Sequence, residues 1–508
     1  MAYIRGTRGD CMNVLLINPN SDFSATAKSA PLGLLSIGTY IKERGFHVRI
    51  YDRNVDKTSL EKTVAAFKPD VVGISAPSFR HIRDGAAVSH RLRKKGIPVI
   101  WGGYLTSILP ELILREGTAD YVVAGEGEIT FHELLQALEK KTDISQINGV
   151  IYLDETGAIY RAPEREFANL ADFSPIDWPL VDPRQYFAPQ VFGSKVIYLY
   201  SSKGCTGRCA FCANRMFTHS KCRLRPTWHV ISEIKELVAN YGLEGVQFAD
   251  ELFGMNKSDL YDLCDQLRGL NIVWGCQTRL GHLKREDLQC MYDAGCRHIY
   301  YGVESGSQEM LDRVHKGIDL AAIDRDFLDC REIGIITHSG FIIGFPDETE
   351  DQLRETVRLL LGMNTNLFQV YFYFVDPGSE FSNDLIAAGR FIPYQTLREW
   401  SNHTSLLGKM TANYSNVPTR DLNVVSSFFF WQTLFRTKLP QGAKWFYFMF
   451  TRIHSVFNFL FTKGILDAIR YLFTPFRIFL STAWYRYAYP GIRKKYGLYR
   501  SQESGDRS

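Results

Sequence analysis

The sequence predicts an α/β protein in three parts: an N-terminal doubly wound parallel sheet, a partial barrel of six β/α units, and a mainly helical C-terminal segment. Three observations carry that prediction. Short apolar runs alternate with helical patterns twice, on either side of an irregular stretch at about 140–195. The runs of the first alternation are short and bounded by turn residues, as expected of buried parallel strands. After about Asp421 the composition changes abruptly to aromatic and basic residues with almost no acid.

The first alternation places strands at Val14–Ile17, Val48–Tyr51, Val71–Ser75, Val99–Gly102 and Tyr121–Ala124. Helical patterns lie between and after them at Leu32–Arg44, Leu60–Phe67, Asp84–Lys95 and Glu128–Leu138. This unit is expected to span 1–140. A connector at 141–194 is expected to hold a hairpin (GVIYLDETGAIYRAP) and a passage rich in Pro and Asp (FSPIDWPLVDPRQYF). The second alternation, 195–375, has strand candidates at Val196–Ser201, Gly245–Ala249, Ile272–Thr278, His298–Glu304, Thr337–Phe345 and Leu367–Val375. Six units suit a partial barrel better than a closed eight-stranded one. The last part, 376–508, is read as a helical cap.

At 508 residues, with 45% hydrophobic and 22% charged residues, the composition is that of an ordinary globular protein with room for several cores. A net charge of +4 is too small over this length to argue for nucleic acid. Ten cysteines do not make a disulfide scaffold; three of them cluster, which suggests a reducing compartment and one metal site. The N-terminus carries no apolar stretch long enough for a signal peptide, so the cytoplasm is the expected location.

The cluster lies in KGCTGRCAFCANRMF, where Cys205, Cys209 and Cys212 are separated by three and then two residues. Such a loop can place thiolates at three corners of an iron–sulfur cubane and leave the fourth iron open to a substrate. A zinc site, with Cys222 or His219 as a fourth ligand, is the alternative. The loop leaves the first predicted barrel strand at the end where barrel active sites lie. With Phe211 before the last cysteine, the motif resembles the radical S-adenosylmethionine superfamily. That resemblance implies a [4Fe-4S] cluster on Cys205, Cys209 and Cys212, and S-adenosyl-L-methionine cleaved to a 5′-deoxyadenosyl radical. It also implies an electron donor such as flavodoxin or ferredoxin.

Three further stretches resemble that superfamily. GVQFADELF brings Asp250 and Glu251 near the methionine end of S-adenosylmethionine, although paired carboxylates at a strand end can equally cap a helix. In YYGVESGSQEML, Glu304 leaves a strand beside glycine and suits a ribose diol; an ordinary turn is the alternative. SGFIIGFPDET resembles the adenine-binding strand, with Ile342 and Gly344 offering backbone groups, and a plain buried strand would look the same.

The N-terminal part lacks a GxGxxG phosphate signature after its first strand. Its phrases INPN, SAPLGLLSIGTYIKERGFHVRIYD, VVGISAPS, WGGYLTSILPE and ADYVVAGEGE resemble cobalamin-binding domains fused to radical S-adenosylmethionine barrels. The Asp-x-His-x-x-Gly motif that lends a histidine to cobalt in many cobalamin proteins is absent. The resemblance implies that Gly102, Gly103 and Thr106 border the nucleotide tail of cobalamin. Ser75, Gly125, Glu126, Gly127 and Glu128 would line the corrin pocket, and Phe79, Arg80 and His81 are candidates for the face beneath cobalt. For each of these the alternative is a solvated loop, and for the whole domain a fold that binds nothing.

Between Arg436 and Arg500 twelve basic residues are interleaved with aromatic ones, and Asp467 is the only acid. No apolar run there reaches the roughly 18–20 residues of a membrane span. The segment is expected to cap the barrel or to contact an anionic membrane surface at its inner face; nucleic acid ranks below both. Together the resemblances imply a cobalamin-dependent radical methyltransferase acting on an unactivated carbon of a small hydrophobic molecule, lipid-like or tetrapyrrole. Two molecules of S-adenosylmethionine would be used, one to methylate cob(I)alamin and one to give the radical. A ring-forming or oxidative reaction of the magnesium-porphyrin cyclase kind is the rival.

Overall fold

The computed structural model describes residues 11–21, 29–403, 410, 412–436 and 488–498. The first sheet has seven strands: β1 (Asn13–Asn18), β2 (His47–Asp52), β3 (Val71–Ser75), β4 (Val99–Gly102), β5 (Tyr121–Val123), β6 (Val150–Leu153) and β7 (Ile159–Arg161). Their order is β2-β1-β3-β4-β5-β6-β7, with the first five parallel and the last two antiparallel. The five expected strands are all present, and the chain changes direction in the sheet between β1 and β3. In such sheets ligands bind beyond the carboxyl ends of the strands near that reversal.

Two expectations need adjusting here. The hairpin expected in the connector joins the first sheet, where Val150 and Ile151 are buried and β6 extends the sheet beyond β5. The third helix begins at Phe79 rather than at Asp84, since Ser78 adopts the extended conformation of a cap residue and Phe79 and Ile82 are buried.

The second sheet follows β8 (Ala188–Gln190) and comprises β9 (Gly193–Leu199), β12 (Gly245–Phe248), β13 (Val273–Thr278), β14 (Cys296–Glu304), β15 (Ile336–Ile343) and β16 (Leu367–Phe372). These six strands run parallel in chain order, with β8 added antiparallel at the β9 edge. They are the partial barrel expected from the sequence. A small ribbon of β10 (Ser202–Gly204) and β11 (Cys222–Leu224) stands off the end of β9.

After the barrel the chain returns to the first domain. The helix Leu397–Asn402 packs on the helix Phe79–Arg93, where Trp400 is 2% exposed and stacks on Phe79 with ring centroids 5.3 Å apart. The helix Thr419–Arg436 then covers β16, with Val424, Val425 and Phe428 buried and Phe429 edge-on to Phe368. The helix Pro490–Lys495 locks onto it through Lys495, 2.9 Å from Asp421 and 2.6 Å from Glu350. Most of the basic and aromatic stretch, 437–487, lies outside the described residues. Among the described residues no helix is long and apolar enough to cross a membrane.

Candidate functional site

The three-cysteine loop is built by its frame. β10 and β11 pair antiparallel, with Gly204 opposite Cys222, so the intervening residues close into a loop at the end of the first barrel strand. Gly204 sits at φ +98°, and a Cβ there would overlap the Lys221 carbonyl oxygen, so only glycine closes the ribbon. The loop is pinned midway, where Ala210 N–H donates to the Val314 carbonyl at 3.0 Å and Phe381 N–H to the Ala210 carbonyl at 2.9 Å. The Cys205, Cys209 and Cys212 thiols are free and half-buried. Gly207 lies between the first two, and a Cβ on it would stand 3.2 Å from Cys205 Sγ and 3.9 Å from Cys209 Sγ.

Burial raises the Cys209 thiol, against the pull of Lys316, and pushes Cys212 up to about 11. Such thiols become thiolates when metal replaces the proton. The donor set fits a cluster better than zinc. His219 Nε2 is 3.0 Å from Glu164. Among the described residues no three His, Cys, Asp or Glu side chains converge as a single ion requires. A cubane spreads its ligands over separate irons and accepts the wider set.

The carboxylates after β12 hold the base of this loop. Asp250, 1% exposed, accepts from Ser201 N–H at 2.8 Å, Ser201 Oγ at 2.6 Å and Ser202 Oγ at 2.5 Å. Burial pushes its carboxyl up to about 6 against those hydrogen bonds. Glu251 accepts from Gly204 N–H at 3.0 Å. Both residues therefore shape the cysteine loop directly, whatever else they touch.

Glu304 ends β14 at φ +70° and is paired with Lys316 Nζ at 2.7 Å, both side chains 12% exposed. A Cβ at Gly302 would press on the Glu304 carboxylate and stand 2.9 Å from Lys316 Nζ, so a larger residue there would displace the pair. Lys316 was not found from the sequence, although the Gly317 that follows it marks a turn. Gly344, at φ +80°, donates its N–H to Glu348 Oε2 at 2.5 Å. Glu348 is fully buried, its Oε1 has no partner, and burial pushes its carboxyl up to about 8. The sequence reading also passed over Glu348, which stands among Asp347, Thr349 and Glu350 and carries no local signal of its burial.

Two cavities lie beside the first domain and the cysteine loop. The larger, about 590 Å³, is bounded by Phe79, Arg80 and Tyr104 from the first domain, by Phe211 and Cys212 from the cysteine loop, and by Tyr300, Glu304, Ile342 and Tyr371 from the barrel. It thus brings together five of the expected residues: Phe79, Arg80, Cys212, Glu304 and Ile342. The second, about 270 Å³, lies over the end of β5 and is lined by Ser107, Gly125, Glu126, Glu128, Arg165, Phe167 and Phe217 among others.

Ser75, Gly102, Gly103, Thr106, Gly127 and His81 line neither cavity. Ser75 ends β3 and Gly102 ends β4. Gly103 is at φ +104° with its Cα face 3.3 Å (as a Cβ) from the Ala76 backbone, and Thr106, fully buried, donates to the Gly103 carbonyl at 2.7 Å. Gly127 packs against Ile37, where a Cβ would come within 2.8 Å. His81 turns back to Ser78 Oγ at 2.9 Å, and burial lowers its pKa, which favours the neutral ring.

Glu126 and Glu128 are taken up by cations from the ribbon. Glu128, 4% exposed, pairs with Lys203 Nζ at 2.9 Å and accepts from Ser36 Oγ at 2.6 Å. Glu126 pairs with both guanidinium nitrogens of Arg223. Tyr104 makes a second crossing between the domains: its hydroxyl lies 3.3 and 3.2 Å from the two Asp376 oxygens, and its ring stacks on Phe217 at 4.4 Å.

Comparison with known proteins agrees with this architecture. Residues 23–135 match the model of the B12 binding domain, and residues 199–360 that of the radical SAM superfamily. An uncharacterised methyltransferase of Pyrococcus horikoshii is 28% identical over 405 residues, covering 76% of this chain and 87% of the relative. The anaerobic magnesium-protoporphyrin IX monomethyl ester cyclase of Rubrivivax gelatinosus is 25% identical, covering 74% of this chain and 70% of the relative. The radical S-adenosylmethionine methyltransferase TsrM of Kitasatospora setae, solved with cobalamin and a [4Fe-4S] cluster, shares the fold with a TM-score of 0.62 at 20% identity, covering 74% of each chain.

Proposed function

Because the chain belongs to the cobalamin-binding radical S-adenosylmethionine enzymes, we propose that it is a methyltransferase acting on an unactivated carbon of a small hydrophobic molecule. One observation carries the reading. A single cavity has the strand-end residues of the first domain on one side, and Cys212, Glu304 and Ile342 of the barrel on the other. A reactant held there meets both halves of the protein at once, which is the proximity a two-cofactor reaction needs.

When bound, the cluster with S-adenosylmethionine supplies a 5′-deoxyadenosyl radical, and cobalamin supplies the methyl group. The chain's own part is to hold and to shield. Cys205, Cys209 and Cys212 would ligate three irons, on a loop shaped by Asp250 and Glu251. Glu304, held in place by Lys316, would receive a ribose diol, and Ile342 and Gly344 would receive adenine. Gly102, Gly103, Thr106, Ser75 and the turn 125–128 would border cobalamin, with Phe79 and Arg80 facing its lower side. His81 is less suited, since its ring faces Ser78. The aromatic rings of Phe79, Tyr104, Phe211, Tyr300 and Tyr371 line this space and would limit the water around a radical held there.

The same lining suits a flat or lipid-like substrate, and a relative acting on a magnesium porphyrin supports a tetrapyrrole. That relative also keeps a second reading in view, an oxidative or ring-forming reaction on the same cofactors. An electron donor such as flavodoxin or ferredoxin would approach through the surface opening lined by Cys209, Cys212, Arg215 and His219. Contact of the C-terminal segment with a membrane surface rests on composition alone.

The test is anaerobic purification with cobalamin supplied, followed by counts of iron, sulfide and cobalt per chain and by mass analysis of products from candidate hydrophobic substrates. A cluster, about one cobalamin and a product heavier by one CH2 support methyl transfer. A product that has lost hydrogen or gained oxygen supports the oxidative reading, and a folded chain holding a cluster but no cobalamin rejects both.

A further inference from the structure

The cysteine loop is gripped on both sides by loops of the first domain. On its entry side, Lys203 stands two residues before Cys205 and pairs with Glu128 at 2.9 Å, beyond the end of β5. Arg223, on the strand that closes the ribbon, pairs with Glu126 of the same turn. On its exit side, Ala213 N–H, next to Cys212, donates to Asp376 at 3.1 Å. That carboxylate also receives the hydroxyl of Tyr104, two residues beyond the end of β4, and the Tyr104 ring stacks on Phe217 in the short helix that leaves the loop. The turns after β4 and β5 are also those assigned above to cobalamin. One set of backbone turns therefore serves two neighbours, and ordering it for one orders it for the other.

We infer that Tyr104, through Asp376, and Glu128, through Lys203, are positioning residues that couple cobalamin binding in the first domain to the integrity of the cluster loop in the barrel. The inference rests on the reading that the first domain binds cobalamin. No chemical step is added to the reaction. A ligand that fixes the turns after β4 and β5 removes motions that would otherwise open the entry and exit of the loop, and the effect is reciprocal, because the coupling is one free energy shared by two sites.

The experiment follows iron loss from the full chain after anaerobic reconstitution of the cluster. The excess chelator forms a coloured ferrous complex, and hydroxocobalamin is present at saturation or absent. Bound cobalt is counted in every sample. In the unaltered protein, cobalamin is expected to slow iron loss at least about fivefold, the lower end of coupling between sites. Tyr104→Phe, which keeps the ring and its stacking, and Lys203→Met should each lower that ratio, and together bring it close to one. A residue of merely structural importance would speed iron loss equally in both states and leave the ratio unchanged. Equal rates with and without retained cobalamin in the unaltered protein overturn the coupling. An undiminished ratio in Tyr104→Phe overturns the part given to Tyr104 even if the double variant does not fold. An unaltered protein that retains no cobalt overturns the reading beneath it.

Discussion

Replacing Lys316 by methionine isolates what the Glu304 ion pair is worth. Both side chains are 12% exposed and their charged atoms lie 2.7 Å apart, so the pair is largely withdrawn from solvent. Removing one partner of a buried pair leaves an uncompensated charge, at a cost of about 3–5 kcal/mol. In a domain of this size about 1 kcal/mol corresponds to roughly 2–4 °C in Tm, so Lys316→Met should lower the melting of the barrel by at least about 6 °C. Adding Glu304→Gln removes the stranded charge and should recover most of that loss, while affinity for S-adenosylmethionine stays low because the ribose partner is gone. Calorimetry of the cluster-free protein measures the first effect, and titration of S-adenosylmethionine into the reconstituted protein the second. A Lys316→Met protein that melts like the unaltered one, or a double variant no more stable than the single, would refute the reasoning.

Three further outcomes follow from the geometry. Gly204→Ala must displace the Lys221 carbonyl and hold a left-handed conformation that costs about 1–2 kcal/mol by itself, so reconstituted iron per chain should fall severely while the rest of the protein still melts cooperatively. Glu348 has a folded pKa of about 8 against about 4.3 in an unfolded chain, so the folded state binds the extra proton; stability from this group is complete below about pH 4 and lost as pH rises through 8. Glu348→Gln mimics the neutral form, so its urea midpoint should change less between pH 5 and 8 than that of the unaltered protein, and parallel curves would count against it. Trp400→Ala opens a cavity at the stack on Phe79 and should cost about 3–5 kcal/mol, read as a lowered Tm.

The sequence was most legible where burial is two-sided. All six barrel strands and all five parallel strands of the first sheet were found to within a few residues, because runs such as Val71–Ser75 and Gly245–Phe248 have no polar face to confuse with a loop. The antiparallel additions β6, β7 and β8 were not assigned to sheets, since a hairpin does not encode which edge it will join. The helix start at Phe79 was missed because its first turn, Phe-Arg-His-Ile, lacks the polar periodicity that begins at Asp84. At the candidate site, local motifs singled out the three cysteines, Glu304 and Gly344. Their partners were not legible: Lys203 meets Glu128 across 75 residues and Tyr104 meets Asp376 across 272, and no local pattern records such distances. Glu126 and Glu128 were read as pocket residues because a Gly-Glu-Gly-Glu turn at a strand end looks like a ligand loop whether its acids face a ligand or a neighbouring lysine.

The return of the chain after the barrel bears on how these two domains can be exchanged. The helix Leu397–Asn402 is encoded downstream of the barrel, yet it completes the surface of the first domain by burying Trp400 against Phe79, and Arg83 reaches Asn402 at 2.7 Å. A graft that moves only residues before the barrel would carry an uncovered apolar helix into its new host and leave an orphaned tryptophan behind. The smallest transplantable unit is therefore discontinuous in the gene, and shuffling between relatives should succeed only where the donor supplies both pieces.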